Sequence, residues 1–195
     1  MSENPNFIKH IKDNKRESLI LFLSISLTFF HLYTASFYIL TGYLQVVIHW
    51  AFIGTIIILA RPLKIKGGFI IDFLLIVINV YMSIYQAQMQ ERLNFSAGIY
   101  TKTDYIFGVL AIIVALMIAV RMIGYILPSI SVIFIAYAYF GDYFPGLFRT
   151  LSFSLMRIST YLFSMTDGLY GKPLLVSAKF VFLFIFFGKI LDFIG

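Results

Sequence analysis

A charged side chain inside a long apolar run costs several kcal/mol at membrane depth, so such residues are the first candidates for chemistry. Asp72 lies four residues after Gly68, at the start of an apolar run. Its simplest role is an interfacial carboxylate near a helix N-terminus, favoured by the helix dipole and by Lys64 and Lys66. Lys179 lies six residues after Pro173, and its long stem can snorkel to the nearby surface. Contact with an anionic substrate or a partner helix is the alternative for Lys179. Lys189 and Asp192 are spaced for a pair on one helical turn. His31 and His49 stand in different apolar runs, and two histidines with no carboxylate make a poor metal site. A hydrogen bond across helices, or a place at the interface, suits them better. No Ser-His-Asp order, HExxH, GxGxxG or phosphate-loop pattern occurs. There is no cysteine, so thiol catalysis, disulfides and zinc-thiolate sites are excluded within the chain. No catalytic, cofactor-binding or metal residue is assigned, and no enzyme is expected.

The elements that must hold these residues follow from composition. Hydrophobic residues make up 61% of the 195 and charged residues 12%, with a mean hydropathy of +0.92. A soluble domain carries roughly 25% charge, so lipid is the expected solvent. The net charge of +6 does not point to nucleic acid, because the basic residues cluster at the ends of apolar runs. Six runs approach the length needed to cross about 30 Å of hydrocarbon: Ser18 to Phe37, Leu44 to Ala60, Phe69 to Tyr85, Tyr105 to Val120, Gly124 to Phe140 and Leu174 to Phe193. None shows the alternation of a barrel strand. Backbone groups in lipid must pair within their own segment, which selects helices. The fold class is therefore all-α, a polytopic membrane protein with about six spans.

Punctuation between the runs is clear in most places. Arg61-Pro62 ends the second run, because proline cannot extend the hydrogen-bond ladder. Gly67-Gly68 resets the chain direction. The fourth and fifth runs are joined only by Arg121 to Gly124. Either a tight hairpin or one long helix bent at Pro128 satisfies this junction. Ala111, Ala115 and Ala119 are four apart on the fourth run, a spacing that lets helices approach closely.

Lysine and arginine set the orientation. The tail from Met1 to Glu17 holds Lys9, Lys12, Lys15 and Arg16, the turn from Tyr38 to Tyr43 holds none, and the next turn holds Arg61, Lys64 and Lys66. This places the N-terminus in the cytoplasm, and six spans return the C-terminus there. The tail lacks a signal-peptide cleavage site, so the first run is a retained helix.

The last third, Gly141 to Gly188, has the most individual character. A turn, Gly141 to Gly146, contains Tyr143, Phe144 and Pro145. Leu151, Leu155, Ile158 and Leu162 then step by four, three and four, which marks one helical face. This stretch, Leu151 to Phe163, is too polar to span and suits an interfacial amphipathic helix. Tyr137, Tyr139, Tyr143, Tyr161 and Tyr170 surround it as an expected aromatic belt. A second turn, Asp167 to Pro173, leads into the last run.

These parts, in this order, resemble fused permeases of the tripartite ATP-independent periplasmic (TRAP) transporters. The matching residues are Gly141, Tyr143, Pro145-Gly146, Phe153-Ser154, Arg157-Ile158, Tyr161-Leu162, Gly168 to Gly171, Pro173-Leu174, Val176 to Ala178 and Phe180 to Gly188. The HLYTA stretch of His31 to Ala35 is also similar. Lys179 departs from the small or hydroxyl residue usual near that position. The resemblance implies uptake of small organic acids, delivered by a periplasmic binding protein and driven by a sodium or proton gradient, in a bacterial inner membrane. It implies three regions: a basic cytoplasmic tail at 1–17, a four-helix small-subunit-like part at 18–121, and the start of a large-subunit-like part at 122–195. The family's ion and substrate sites lie in further helical hairpins, so the chain is expected to be a truncated, scaffold-only piece with no cofactor. Its expected partners are the lipid bilayer, the binding protein and the remaining permease helices. A stand-alone structural or assembly protein of the membrane is the competing reading.

Overall fold

The structure, a computed structural model, describes residues 15–37, 40–95, 99–164 and 168–195. The tail before residue 15, Tyr38 and Asp167 lie outside the described residues. The described chain is all helical: α1 (Lys15–Phe37), α2 (Gly42–Ala60), α3 (Gly68–Phe95), α4 (Lys102–Ile123), α5 (Ile126–Phe140), α6 (Leu155–Ser164) and α7 (Lys172–Ile194). All but α6 are long and apolar enough to cross a membrane, α5 together with the helical turn that continues it to Tyr143. The chain is a polytopic helical membrane protein.

Helix α2 is the centre of the bundle and touches α1, α3, α4 and α7. Its start is capped by the Thr41 side chain, which accepts from the Leu44 N–H. Its end falls at Ala60, just before Arg61-Pro62, and the Arg61 N–H closes the last turn on Ile57 O. Gly67 then turns the chain at φ +77°, a left-handed value that glycine reaches without strain.

Helices α4 and α5 are separate. Gly124 ends α4 at φ +81° and donates its N–H to Val120 O. Leu116 and Val120 of α4 line one hollow with Ser129, Val132 and Ile133 of α5, so α5 runs back along α4. Pro128 sits in the first turn of α5, where its missing N–H breaks no bond. It marks a helix start, not a kink.

The amphipathic helix is present but shorter than its apolar stripe suggests. Residues 149–154 have no regular structure, and the Phe153 N–H bonds Ala138 O at the end of α5. Helix α6 starts where Ser154 takes over: its carbonyl accepts from the Ile158 N–H and its hydroxyl from the Arg157 N–H. The buried residues are Ile158, Ser159, Thr160 and Phe163, whereas Leu151 and Leu155 are exposed. That face is selected by close backbone contact with α4, because a Cβ on Gly108 would lie 2.8 Å from Ser159 O. The close approach on α4 is therefore made at Gly108. Of the three alanines at four-residue spacing, Ala111 is buried and Ala115 and Ala119 are half-buried.

Candidate functional site: the buried polar seam

The polar groups of this bundle follow one helix. Asp72, Leu75, Asn79, Met82, Gln86 and Met89, buried on α3 along with Ser83, follow alternating steps of three and four. In lipid, a polar side chain on such a stripe must find partners on neighbouring helices. Asn79 Nδ2 donates to Ala51 O of α2 at 3.1 Å and to Thr55 Oγ1 at 3.4 Å. Gly54 makes room for it: a Cβ there would stand 2.9 Å from Asn79 Nδ2. Gln86 Nε2 donates to Phe163 O of α6 at 2.9 Å. Tyr43 of α2 donates its hydroxyl to Gln86 O at 3.0 Å. Asn79 Oδ1 and Gln86 Oε1 remain without a protein partner.

Both ends of the α3–α4 hairpin are closed by ion pairs of opposite polarity, one buried on both sides and one between a buried carboxylate and a half-exposed arginine. At one end Arg121 of α4 donates to Asp72 of α3 at 2.7 Å, with side chains only 6% and 11% exposed. Asp72 also accepts the Leu63 N–H at 3.0 Å, tying in the preceding turn. At the other end Arg92 of α3 meets Asp104 of α4 at 2.5 Å. Asp104 is fully buried and takes four donors: Arg92, the Tyr85 hydroxyl, and the Thr101 N–H and hydroxyl. With Thr101 it forms a capping box at the start of α4. The pairs are separated by about 26 Å along α4 and about 30 Å along α3 at 1.5 Å per residue, close to the hydrocarbon thickness.

Arginine also explains why one end of the bundle is basic. Arg16 of α1 donates to Leu59 O and Ala60 O at the end of α2, at 2.5 and 3.1 Å. Arg61 donates to Arg121 O, and Arg121 to Arg61 O. The last carbonyls of α2 and α4 are thus met by guanidinium groups, which the negative ends of the helix dipoles favour.

The histidines form a hydrogen bond across helices. His31 Nε2 and His49 Nδ1 are 2.8 Å apart and both rings are buried. One nitrogen must donate and the other accept, so the two tautomers are coupled. The outer nitrogens, His31 Nδ1 and His49 Nε2, have no protein partner. Phe182 of α7 lies against His31 at 4.4 Å between ring centres. Thr34 donates to His31 O, and Gln45 of α2 donates to Thr34 Oγ1 at 3.2 Å, extending this contact toward the end of α1. Among the described residues, no third metal-ligating side chain joins the pair.

Other sequence candidates resolve as follows. Asp72 pairs with Arg121, not with Lys64 or Lys66. Lys189 and Asp192 pair at 3.3 Å on the surface. Lys179 is half-buried and runs along the first turn of α2, where a Cβ on Gly42 would be 3.3 Å from its Nζ. It lies in a wider turn, Ser177–Val181, with π-type spacing. Tyr137, Tyr139, Tyr143 and Tyr161 belong to the surface near the end of the bundle, but Tyr170 does not. The turn bond from Leu169 N–H to Leu162 O folds Tyr170 inward against Trp50 and Phe163. Its hydroxyl faces Ser83 without a well-formed bond, and burial raises its pKa above the ordinary tyrosine value, which keeps it neutral.

This arrangement pairs charge at both ends of a hairpin, bonds side chains between them and joins helices. It defines a structural seam in a multi-span membrane protein. No known family, curated protein or solved structure matches the chain.

Proposed function

We propose that this chain is a membrane component of a TRAP-type secondary transporter and supplies scaffold helices, not the ion and substrate sites. The observation that carries this reading is the role of the glycines in the resembling stretch. A Cβ on Gly141 would meet Thr150 Cγ2 at 2.5 Å, and one on Gly168 would meet Leu162 O at 2.3 Å. Gly146 has φ +59°. These three motif glycines stand where the fold leaves no room for a side chain or needs a left-handed turn, as expected if the resemblance reflects a common backbone, whereas Gly188 has open space around it. The seam supports a bracing role, since its ion pairs fix α3 against α4 instead of lining an open path. In this reading the basic end, with Arg16, Arg61 and Arg121, faces the cytoplasm, and α6 faces the periplasm. The small-subunit-like and large-subunit-like parts meet where α6 packs on α4 and α7 packs on α1 and α2.

The test is uptake in the source cells. Deleting the gene should abolish sodium- or proton-gradient-driven uptake of at least one small carboxylate, and a plasmid copy should restore it. Unchanged uptake across a carboxylate panel would reject the transporter reading and leave a separate assembly role.

A further inference from the structure

Helices α5 and α6 do not close against each other. Between them runs a groove of about 380 Å³ with walls that are almost wholly apolar, including Phe134 and Ala138 of α5, Phe153 and Ile158. Arg157 also lines it and is its one cation. Among the described residues, the guanidinium lies over the Phe153 ring at 5.1 Å and no carboxylate pairs with it. Asp142 lines a neighbouring hollow that shares Phe153.

The groove has a direction. Helix α5 ends at Phe140, beside the turns that lead to α6. Ala138 is therefore near the membrane surface, and Phe134 lies about 6 Å deeper toward the bilayer centre. The groove thus offers an apolar channel reaching inward and a cation at the interface. Half-exposed Tyr161, on the groove wall, suits the same level.

We propose that the groove between α5 and α6 is a binding site for one anionic phospholipid, with an acyl chain along Phe134 and Ala138 and its phosphate on Arg157. Charge complementarity selects this occupant. An unpaired guanidinium at the edge of hydrocarbon gains a charge-assisted bond from a phosphate, whereas a purely apolar helix would leave it without a partner. The choline of a zwitterionic lipid weakens the fit by placing a second cation near Arg157. This site stands apart from the transporter reading and does not depend on it.

Native mass spectrometry of the full chain, purified in mild detergent and supplied with phosphatidylglycerol or phosphatidylcholine, tests the site. One phosphatidylglycerol should survive on the wild type after all other lipid is stripped. Ala138→Trp, which fills the groove, should lose it. Arg157→Gln should weaken its retention about tenfold and remove the preference over phosphatidylcholine, and Arg157→Lys should recover part of both. Equal retention by wild type and Arg157→Gln would overturn the proposal, as would equal retention by a folded Ala138→Trp. A wild type that holds no lipid after stripping would overturn it too. Arg157 is exposed, so its variants carry the test even if Ala138→Trp does not fold.

Discussion

Removing Arg121 should damage this bundle far more than removing the whole ion pair. Its guanidinium meets Asp72 at 2.7 Å with both side chains nearly excluded from solvent. Arg121→Leu leaves the carboxylate with one remaining donor, the Leu63 N–H. Breaking one side of a buried pair costs about 3–5 kcal/mol, because the survivor stays buried and uncompensated. Asp72→Leu falls near the lower figure, since Arg121 keeps Arg61 O as an acceptor. The double variant Asp72→Leu, Arg121→Leu buries no charge. It loses the acceptor for the Leu63 N–H, worth about 1–2 kcal/mol, so it should lie well above either single variant in stability. Reversible unfolding in mixed micelles, driven by added sodium dodecyl sulfate, measures all three. A loss of about 4 kcal/mol is roughly a thousandfold in the folding equilibrium. If Arg121→Leu costs under about 1 kcal/mol, or if the double variant equals the sum of the singles, the pair is not the clamp described here.

The opposite clamp should behave asymmetrically. Asp104→Asn weakens four contacts at a fully buried site, whereas Arg92→Gln alters a side chain that is 38% exposed; the same unfolding assay should rank Asp104→Asn as clearly worse. Thr101→Ala removes the cap and one of the four donors to Asp104 and should cost about 1–2 kcal/mol. Gly108→Leu places a side chain where Ser159 O stands and should release α6, seen as faster tryptic cleavage at Arg157 with the six spans intact. Asn79→Leu should cost about 0.6–1.7 kcal/mol, the range of hydrogen bonds between membrane helices, and a gain in stability would remove Asn79 from the seam.

The six spans were legible because hydrocarbon thickness fixes run length and the runs are nearly free of charge. Boundaries failed where hydropathy and helix propensity diverge. The third run fades after Tyr85, yet α3 continues to Phe95, because Gln, Ala, Met, Glu and Arg are good helix formers and Arg92 is fixed by Asp104. The seam was visible in principle: Asp72, Asn79 and Gln86 fall seven apart on one apolar helix, a signal that reading by hydropathy alone passes over. The partners were not visible. Nothing local links Asp72 to Arg121 across the hairpin, and the nearby lysines looked the simpler choice. The cross-helix bond of His31 and His49 could be read from the need of buried imidazoles for a partner. Tyr170 was misplaced because composition does not tell which way a glycine-bracketed turn folds its aromatic.

The absence of cysteine permits a direct test of the six-span arrangement, by labelling single cysteines in oriented vesicles with a membrane-impermeant maleimide. Cysteines at Lys66 and Gly195 should react from one side only. Cysteines at Thr41, Ile99, Leu147 and Lys172 should react only from the other. Labelling of Leu147 from the same side as Lys66 would mean that α4 and α5 cross as one helix, and the six-span arrangement, the α4–α5 hairpin and the lipid groove beside α5 would all fall.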